Sequence, residues 1–316
     1  MKQQLHVATS ADERRVVNSI LQSLAKYMLD SNIDVKYLSE MKLQKIVFKT
    51  VEELELPVTR SWYIRGCMVH PGGTLTGSVK KKTIERLVRN PEDLSVDPDI
   101  YSCFDSIQVN RIFYTKRNDF LRDLYRHMEP ERFRNEYVPN NELILSLEEM
   151  SKGIYDGVNT VISENISKLY LGLQGDDLFK KVSDKFYDFL DFMENVCIEV
   201  EGSFEDGAEI TPADLEFFKN LSYVYYSNVW IEPASIISIE TAQGPNAKRV
   251  IEQRQGYLPL AAQKIEEPLK ELKHKADALN LSLSEVNVEK AYNRSRERIG
   301  TAAGKNLAEM LKIYAK

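Results

Sequence analysis

Residues Ser61–Gly73 read SWYIRGCMVHPGG, and they interrupt a chain whose apolar residues elsewhere recur every three or four positions. Within them Trp62, Ile64, Gly66 and Met68 alternate with Tyr63, Arg65, Cys67 and Val69. That period of two predicts a strand over 61–69 with the two sets on opposite faces. Pro71 lacks the amide a sheet ladder needs, and Gly72 and Gly73 tolerate positive φ, so HPGG predicts the turn that ends the strand. The stretch also holds one of two tryptophans, one of three cysteines and one of four histidines. Its cysteine and histidine have no partner at ligand or triad spacing, so a folding corner is the simpler reading than a reaction site.

Helices are predicted on either side. Ser10 and Glu13 form an S-x-x-E capping-box pattern, and Val16, Val17, Ile20, Leu21, Leu24, Tyr27 and Met28 follow as one buried stripe. Leu43, Ile46, Val47, Val51 and Leu54 mark a second helix, which Pro57 closes. After the turn, VKKKTIERLVRN reads as a helix ended by Pro91. The segment 91–104, PEDLSVDPDIYSCF, carries two prolines and four acidic residues and reads as a loop. A helix is expected over roughly Asp105–His127, and EYVPNNE reads as a turn that sets a boundary near 139.

Beyond it the chain reads as helices. Phe186, Phe189, Leu190, Met193, Val196 and Cys197 keep helical spacing over Asp184–Glu199. Thr211 and Pro212 supply an N-cap and a first-turn proline for a helix carrying FFKNLSYVYYSNVW, read as the core helix of the C-terminal half. Leu258, Ala261, Ile265, Leu269, Leu272, Ala276 and Leu279, then Val288, Ala291, Ile299, Ala302, Leu307 and Met310, flank the turn NLSLSE, with Ser284 as a cap. They predict a long antiparallel helical hairpin whose first arm Pro268 kinks or restarts. The expected fold is mainly α: a helical bundle with a minor β element in the N-terminal half and a long C-terminal helical hairpin. The expected division is an α-rich domain with the β element at 1–139, an acidic helical domain at 140–245 and the hairpin at 246–316.

Composition bounds the function. With 316 residues, 43% hydrophobic and 28% charged, the chain has the make-up of a soluble globular protein. No apolar run approaches the roughly 18 residues of a membrane span, and MKQQLHVATSADERR lacks an apolar signal core, so a cytoplasmic location and no membrane are expected. Cys67, Cys103 and Cys197 show no CxxC spacing and read as reduced thiols, with Cys197 on an apolar helical stripe. His6, His70, His127 and His274 are isolated from one another, which removes the paired-histidine zinc templates. No phosphate loop, nucleophile elbow or kinase signature is present, so no catalytic residue, metal or cofactor is assigned. An enzyme with an unrecognised site stays as a third reading.

A nucleic-acid-binding regulator is the second. The basic stretch 111–134 interleaves aromatic residues with Arg117, Arg122 and Arg126, and the stretch 290–298 places Lys290, Arg294 and Arg298 four apart on one helix face, ahead of Gly300 and Gly304. Against it, residues 140–245 carry 20 acidic side chains and only 6 basic ones, which opposes contact with phosphates there.

The leading reading comes from Met41-Lys42-Leu43-Gln44-Lys45-Ile46-Val47-Phe48 and Ser61-Trp62-Tyr63-Ile64-Arg65-Gly66-Cys67-Met68-Val69. Over residues of about 16–70 the chain resembles the Panacea, or SocA-like, antitoxin domain. That family's hallmark is a KLQK-type helix, then a tryptophan strand with a Gly-Pro-Val-type turn, where this chain has Gly66-Cys67. The resemblance implies an α-rich fold with a small β element and action by protein contact on a toxin. Leu43, Trp62 and Gly66 are expected to be structural, whereas Gln44, Lys45 and Arg65 are expected to face outward as partner-binding residues. The expected function is a non-catalytic protein-interaction module, an antitoxin or adaptor.

Overall fold

The computed structural model describes residues 10–75, 79–127, 131–155 and 157–293. It is mainly α with one two-stranded sheet among the described residues. The chain forms two compact units. Among the described residues, the first takes those up to Asn141 with Gly172–Val182 and Trp230–Gln263; the second takes those of Glu142–Leu171, Ser183–Val229 and from Lys264 to 293. This grouping differs from the expected division at 139 and 245, because the chain enters each unit three times.

In the first unit, α1 (Ser10–Asp30) buries Val17, Ile20, Leu21, Leu24, Tyr27 and Met28, and α2 (Glu40–Glu53) buries Leu43, Ile46, Val47 and Val51. The Ser39 hydroxyl caps α2 by accepting from the Lys42 amide at 3.2 Å. Glu13 does not serve as the expected cap residue. It is fully buried, and its carboxylate accepts from the Thr59 amide at 3.2 Å, the Thr59 hydroxyl at 2.8 Å, the Gly72 amide at 2.8 Å and Asn246 Nδ2 at 2.6 Å. Turn amides cut off from water need an acceptor, and a carboxylate offers about four lone-pair sites.

The expected single strand is a hairpin. β1 (Arg60–Tyr63) and β2 (Gly66–Val69) pair antiparallel, with Trp62 opposite Cys67 and Tyr63 opposite Gly66. The reversal at Ile64-Arg65 depends on Gly66, whose φ is +85°. A side chain there is strained, and its Cβ would lie 3.1 Å from both Trp62 Cζ3 and Tyr125 Cε1. HPGG makes the expected turn, with Pro71–Gly73 in a 3₁₀ turn and Gly72 at φ +72°.

Three further expectations change between residues 81 and 150. After α3 (Lys81–Arg89), the expected loop holds a helix, α4 (Pro98–Ser106), because the Asp97 side chain caps the amides of Asp99 and Ile100 and Pro98 fits the first turn. The expected helix at 105–127 is two, α5 (Val109–Tyr114) and α6 (Arg117–Arg126), since Gln108 takes φ +54° and Thr115 is extended. EYVPNNE is not a turn but lies within α7 (Arg134–Met150). Pro139 leaves the Asn135 carbonyl without its helical donor, and Gly172 packs so closely there that a Cβ would sit 3.2 Å from that oxygen.

The remaining helices are α8 (Val158–Gly175), α9 (Asp184–Glu205), α10 (Pro212–Val224), α11 (Ile231–Thr241) and α12 (Ala247–Ala278). Thr211 and Asp214 form a complete capping box at α10. The aromatic run expected as one core helix is divided by a π turn at Tyr225–Val229, and Trp230 belongs to the first unit. The most enclosed helix is α11, buried on nearly all sides against β1, where the Thr241 hydroxyl accepts from the Trp62 amide at 2.9 Å. α12 is one helix through Pro268. It ends at Ala278, Asn280 takes φ +55° in the turn that follows, and helix resumes over 285–293 with the Ser284 hydroxyl accepting from the Asn287 amide at 3.3 Å. The rest of the expected second arm, with Arg294, Arg298, Gly300 and Gly304, lies outside the described residues.

Candidate functional site

The positions of the KLQK motif follow from unmet carbonyls. Lys42 is buried, and its ammonium donates to the carbonyls of Phe113 at 2.7 Å and Thr115 at 2.9 Å, where α5 ends. A cation there complements the helix C-terminus. Lys45, three residues on and so on the same side of α2, is 2% exposed and donates to the Cys67 carbonyl at 2.5 Å. Burial pushes its ammonium down to about 8. Lys45 is therefore not the outward partner-binding residue expected; the free edge of β2 draws it inward. Gln44 is half-buried with Nε2 near the Val79 carbonyl at 3.5 Å, and Arg65 is exposed at the hairpin turn. Leu43, Trp62 and Gly66 are buried as expected.

Beyond Lys45, α2 turns toward solvent at Lys49, and a furrow opens there. One part of it, about 360 Å³, is lined by apolar Phe48, Trp62 and Leu124 together with Glu52, Arg111, Asp123 and His127. An adjoining recess of about 590 Å³ runs past Glu53 to Gln108, and a third of about 50 Å³ reaches Thr115 and Phe120. Lys49 lines all three. The left-handed Gln108 shapes this region by separating α4 from α5. No motif marks it in the sequence, because its residues come from α2, the hairpin, the end of α4, α5 and α6.

The walls are charged and partly paired. Arg111 meets Asp123 at 3.5 Å, Arg60 meets Glu52 at 3.8 Å, and His127 Nδ1 lies 3.0 Å from the Asp123 carbonyl oxygen. Lys49 has no ion-pair partner among the described residues. Cys67 and His127 share this recess although the sequence leaves them isolated. Burial pushes the Cys67 thiol up to about 11, so it stays protonated at neutral pH, unlike an activated nucleophile.

A second polar cluster lies on the other side of the hairpin. Ser61 Oγ is 2.7 Å from His70 Nε2 and 2.9 Å from Ser238 Oγ, and His70 is fully buried. Burial, and then the nearby Arg254 charge, push His70 down to about 4. Arg254 is 4% exposed and stacks 3.3 Å from the Tyr63 ring centroid. Tyr137 and Trp230 donate to the turn carbonyls of Tyr63 at 2.6 Å and Ile64 at 3.1 Å. These bonds hold the corner together.

Of the residues expected to contact nucleic acid, Arg117 and Arg126 are exposed on α6 and Arg122 is half-buried. Within the same stretch Arg132 forms a two-pronged pair with Asp176 at 2.8 and 2.9 Å and Arg134 pairs with Glu131. Lys290 pairs with Asp206 at 2.6 Å. Among the described residues no cluster of three or more His, Cys, Asp or Glu is placed to hold a metal ion, and no helix is long and apolar enough to cross a membrane.

A family model described as a domain of unknown function, DUF8098, matches residues 5–97 and 74–307. No curated protein matches the chain, and no solved structure does.

Proposed function

Because the chain belongs to the DUF8098 family, whose description assigns no activity, we propose a role from the furrow itself: a non-catalytic protein-interaction module that seats a partner protein along α2. The observation that carries this reading is Lys49, an ammonium without an ion-pair partner among the described residues where three recesses meet. Apolar Phe48 and Trp62 beneath a charged rim follow the anatomy of a binding interface, and a partner carboxylate over Lys49 would supply the missing countercharge. The protonated Cys67 thiol supports binding over nucleophilic chemistry. Three buried free cysteines agree with action in the reducing cytoplasm. The antitoxin form of the reading rests on the Panacea resemblance, and its partner is a toxin neutralised by contact.

Affinity purification from the native host tests the module. The wild-type chain recovers a stoichiometric protein, Lys49→Glu loses it at least tenfold, and the distant Lys290→Glu retains it. Recovery of no stoichiometric protein, or equal recovery by Lys49→Glu, overturns the proposal. Expression of the recovered partner alone then separates the two forms: growth arrest relieved by the wild-type chain indicates an antitoxin, and normal growth indicates an adaptor.

A further inference from the structure

A cavity of about 410 Å³ lies within the second unit, lined by the end of α9, the start of α10 and the turn after α12. Three rings form its wall. Tyr155 and Phe204 lie 4.8 Å apart at 57°, and Tyr155 and Phe218 lie 5.7 Å apart at 70°, so the rings do not stack flat on one another. Leu281 supplies an aliphatic side.

Two carboxylates complete the lining, Glu209 and Asp214. Glu209 has no ion-pair partner among the described residues. Asp214 is half-buried, and its bonds are the capping contacts to the Thr211 amide and hydroxyl, both at 2.8 Å and both through Oδ2. Its charge reaches the cavity wall, since it adds to burial in pushing the Tyr155 hydroxyl up to about 12. Among the described residues no basic side chain lines the cavity. The excess of acidic residues over 140–245 repels anions from the same region.

We propose that this cavity is a binding site for a small organic ammonium ion with an apolar body. The ring faces carry the negative side of the aromatic quadrupole and attract a cation, while their area takes up the apolar body. The carboxylates supply the countercharge and exclude anionic analogues. The volume falls within the range of small-molecule sites, roughly 300–1,000 Å³. The proposal is independent of the furrow, since none of its residues lines that site.

Calorimetry and ligand-observed NMR on the full chain, with three one-ring probes, test it. Benzyltrimethylammonium binds at least tenfold more tightly than benzyl alcohol, and benzoate does not bind. Phe204→Leu and Glu209→Gln each weaken the cation about fivefold and leave the alcohol unchanged, whereas Tyr155→Phe, which keeps the ring, leaves both unchanged. Glu209 is exposed, so Glu209→Gln keeps the test decisive if Phe204→Leu unfolds the chain. No binding at millimolar concentration, equal binding of the alcohol or benzoate, or indifference of the cation to the folded variants overturns the proposal.

Discussion

The Glu13 carboxylate accepts a hydrogen bond from Asn246 Nδ2 at 2.6 Å, tying the first turn of α1 to the approach to α12 across 233 positions. The same carboxylate also takes the amides of Thr59 and Gly72, so four donors at the base of the hairpin depend on one side chain. Glu13→Gln replaces an acceptor oxygen with an amide donor facing those donors. We expect a loss of about 3 kcal/mol in unfolding free energy, measured by urea denaturation. A loss below about 1 kcal/mol sinks the idea that Glu13 organises this corner.

Gly66→Ala tests the hairpin turn. At φ +85° a Cβ is strained, and the neighbours it would meet at 3.1 Å are rings of buried Trp62 and Tyr125. The expected cost is about 1–3 kcal/mol, read from the chemical-denaturation midpoint at unchanged slope. An unchanged midpoint would mean that the turn relaxes without Gly66.

The fold class was legible because helical periodicity persists through single prolines and glycines, and period two marks the only sheet among the described residues. The hairpin was not, because Ile64-Arg65 carries no Asn-Gly or Asp-Gly turn signal and each four-residue arm keeps its own alternation; the reversal sets Trp62 opposite Cys67 and Tyr63 opposite Gly66, where a continuous strand would share one face between Trp62 and Gly66. Asp97-Pro98 and Pro139 were misread for one shared reason. Proline in a first turn and proline inside a helix leave the same mark in sequence, and only neighbours such as Gly172 beside the Asn135 carbonyl decide between outcomes. Lys45 reads as a surface residue by type, and only the unpaired Cys67 carbonyl draws it inside. The furrow was invisible because it is assembled from α2, the hairpin, the end of α4, α5 and α6, spread between residues 48 and 127.

Two buried groups of the first unit titrate with opposite consequences for stability. His70, lowered from 6.5 to about 4 by burial and by Arg254, stays neutral while the unfolded chain takes up a proton. Its contribution is complete above 6.5 and is lost as pH falls toward 4. Glu136, raised from 4.5 to about 7 chiefly by burial, stays protonated while the unfolded chain ionises, so its contribution is lost as pH rises from 4.5 to 7. Each window spans about 3 kcal/mol. Glu136→Gln is therefore expected to gain stability over the wild type by about that amount at pH 8 and little at pH 4. His70→Gln closes its deficit relative to the wild type between pH 6.5 and 4. Parallel pH profiles of either variant and the wild type, from urea midpoints, would contradict this assignment.

Lys45 gives the last prediction, and its sign differs from that of most lysines with a partner. Burial lowers its ammonium from 10.5 to about 8, so the carbonyl of Cys67 does not offset the loss of hydration. Below pH 8 both folded and unfolded chains carry the charge and the burial penalty is complete. Between 8 and 10.5 the folded chain releases its proton first, so the stability contributed by this site rises with pH. Cys67, raised from 9.0 to about 11 by burial, acts in the opposite direction above 9, so the raw profile of the wild type mixes the two. The difference between the wild type and Lys45→Met isolates the lysine. It should move in favour of the wild type by about 3 kcal/mol from pH 7.5 to 10.5, with Cys67→Ala introduced into both chains to remove the thiol. A difference that stays flat, or that moves toward the variant, would show that Lys45 keeps an ordinary ammonium and reaches water.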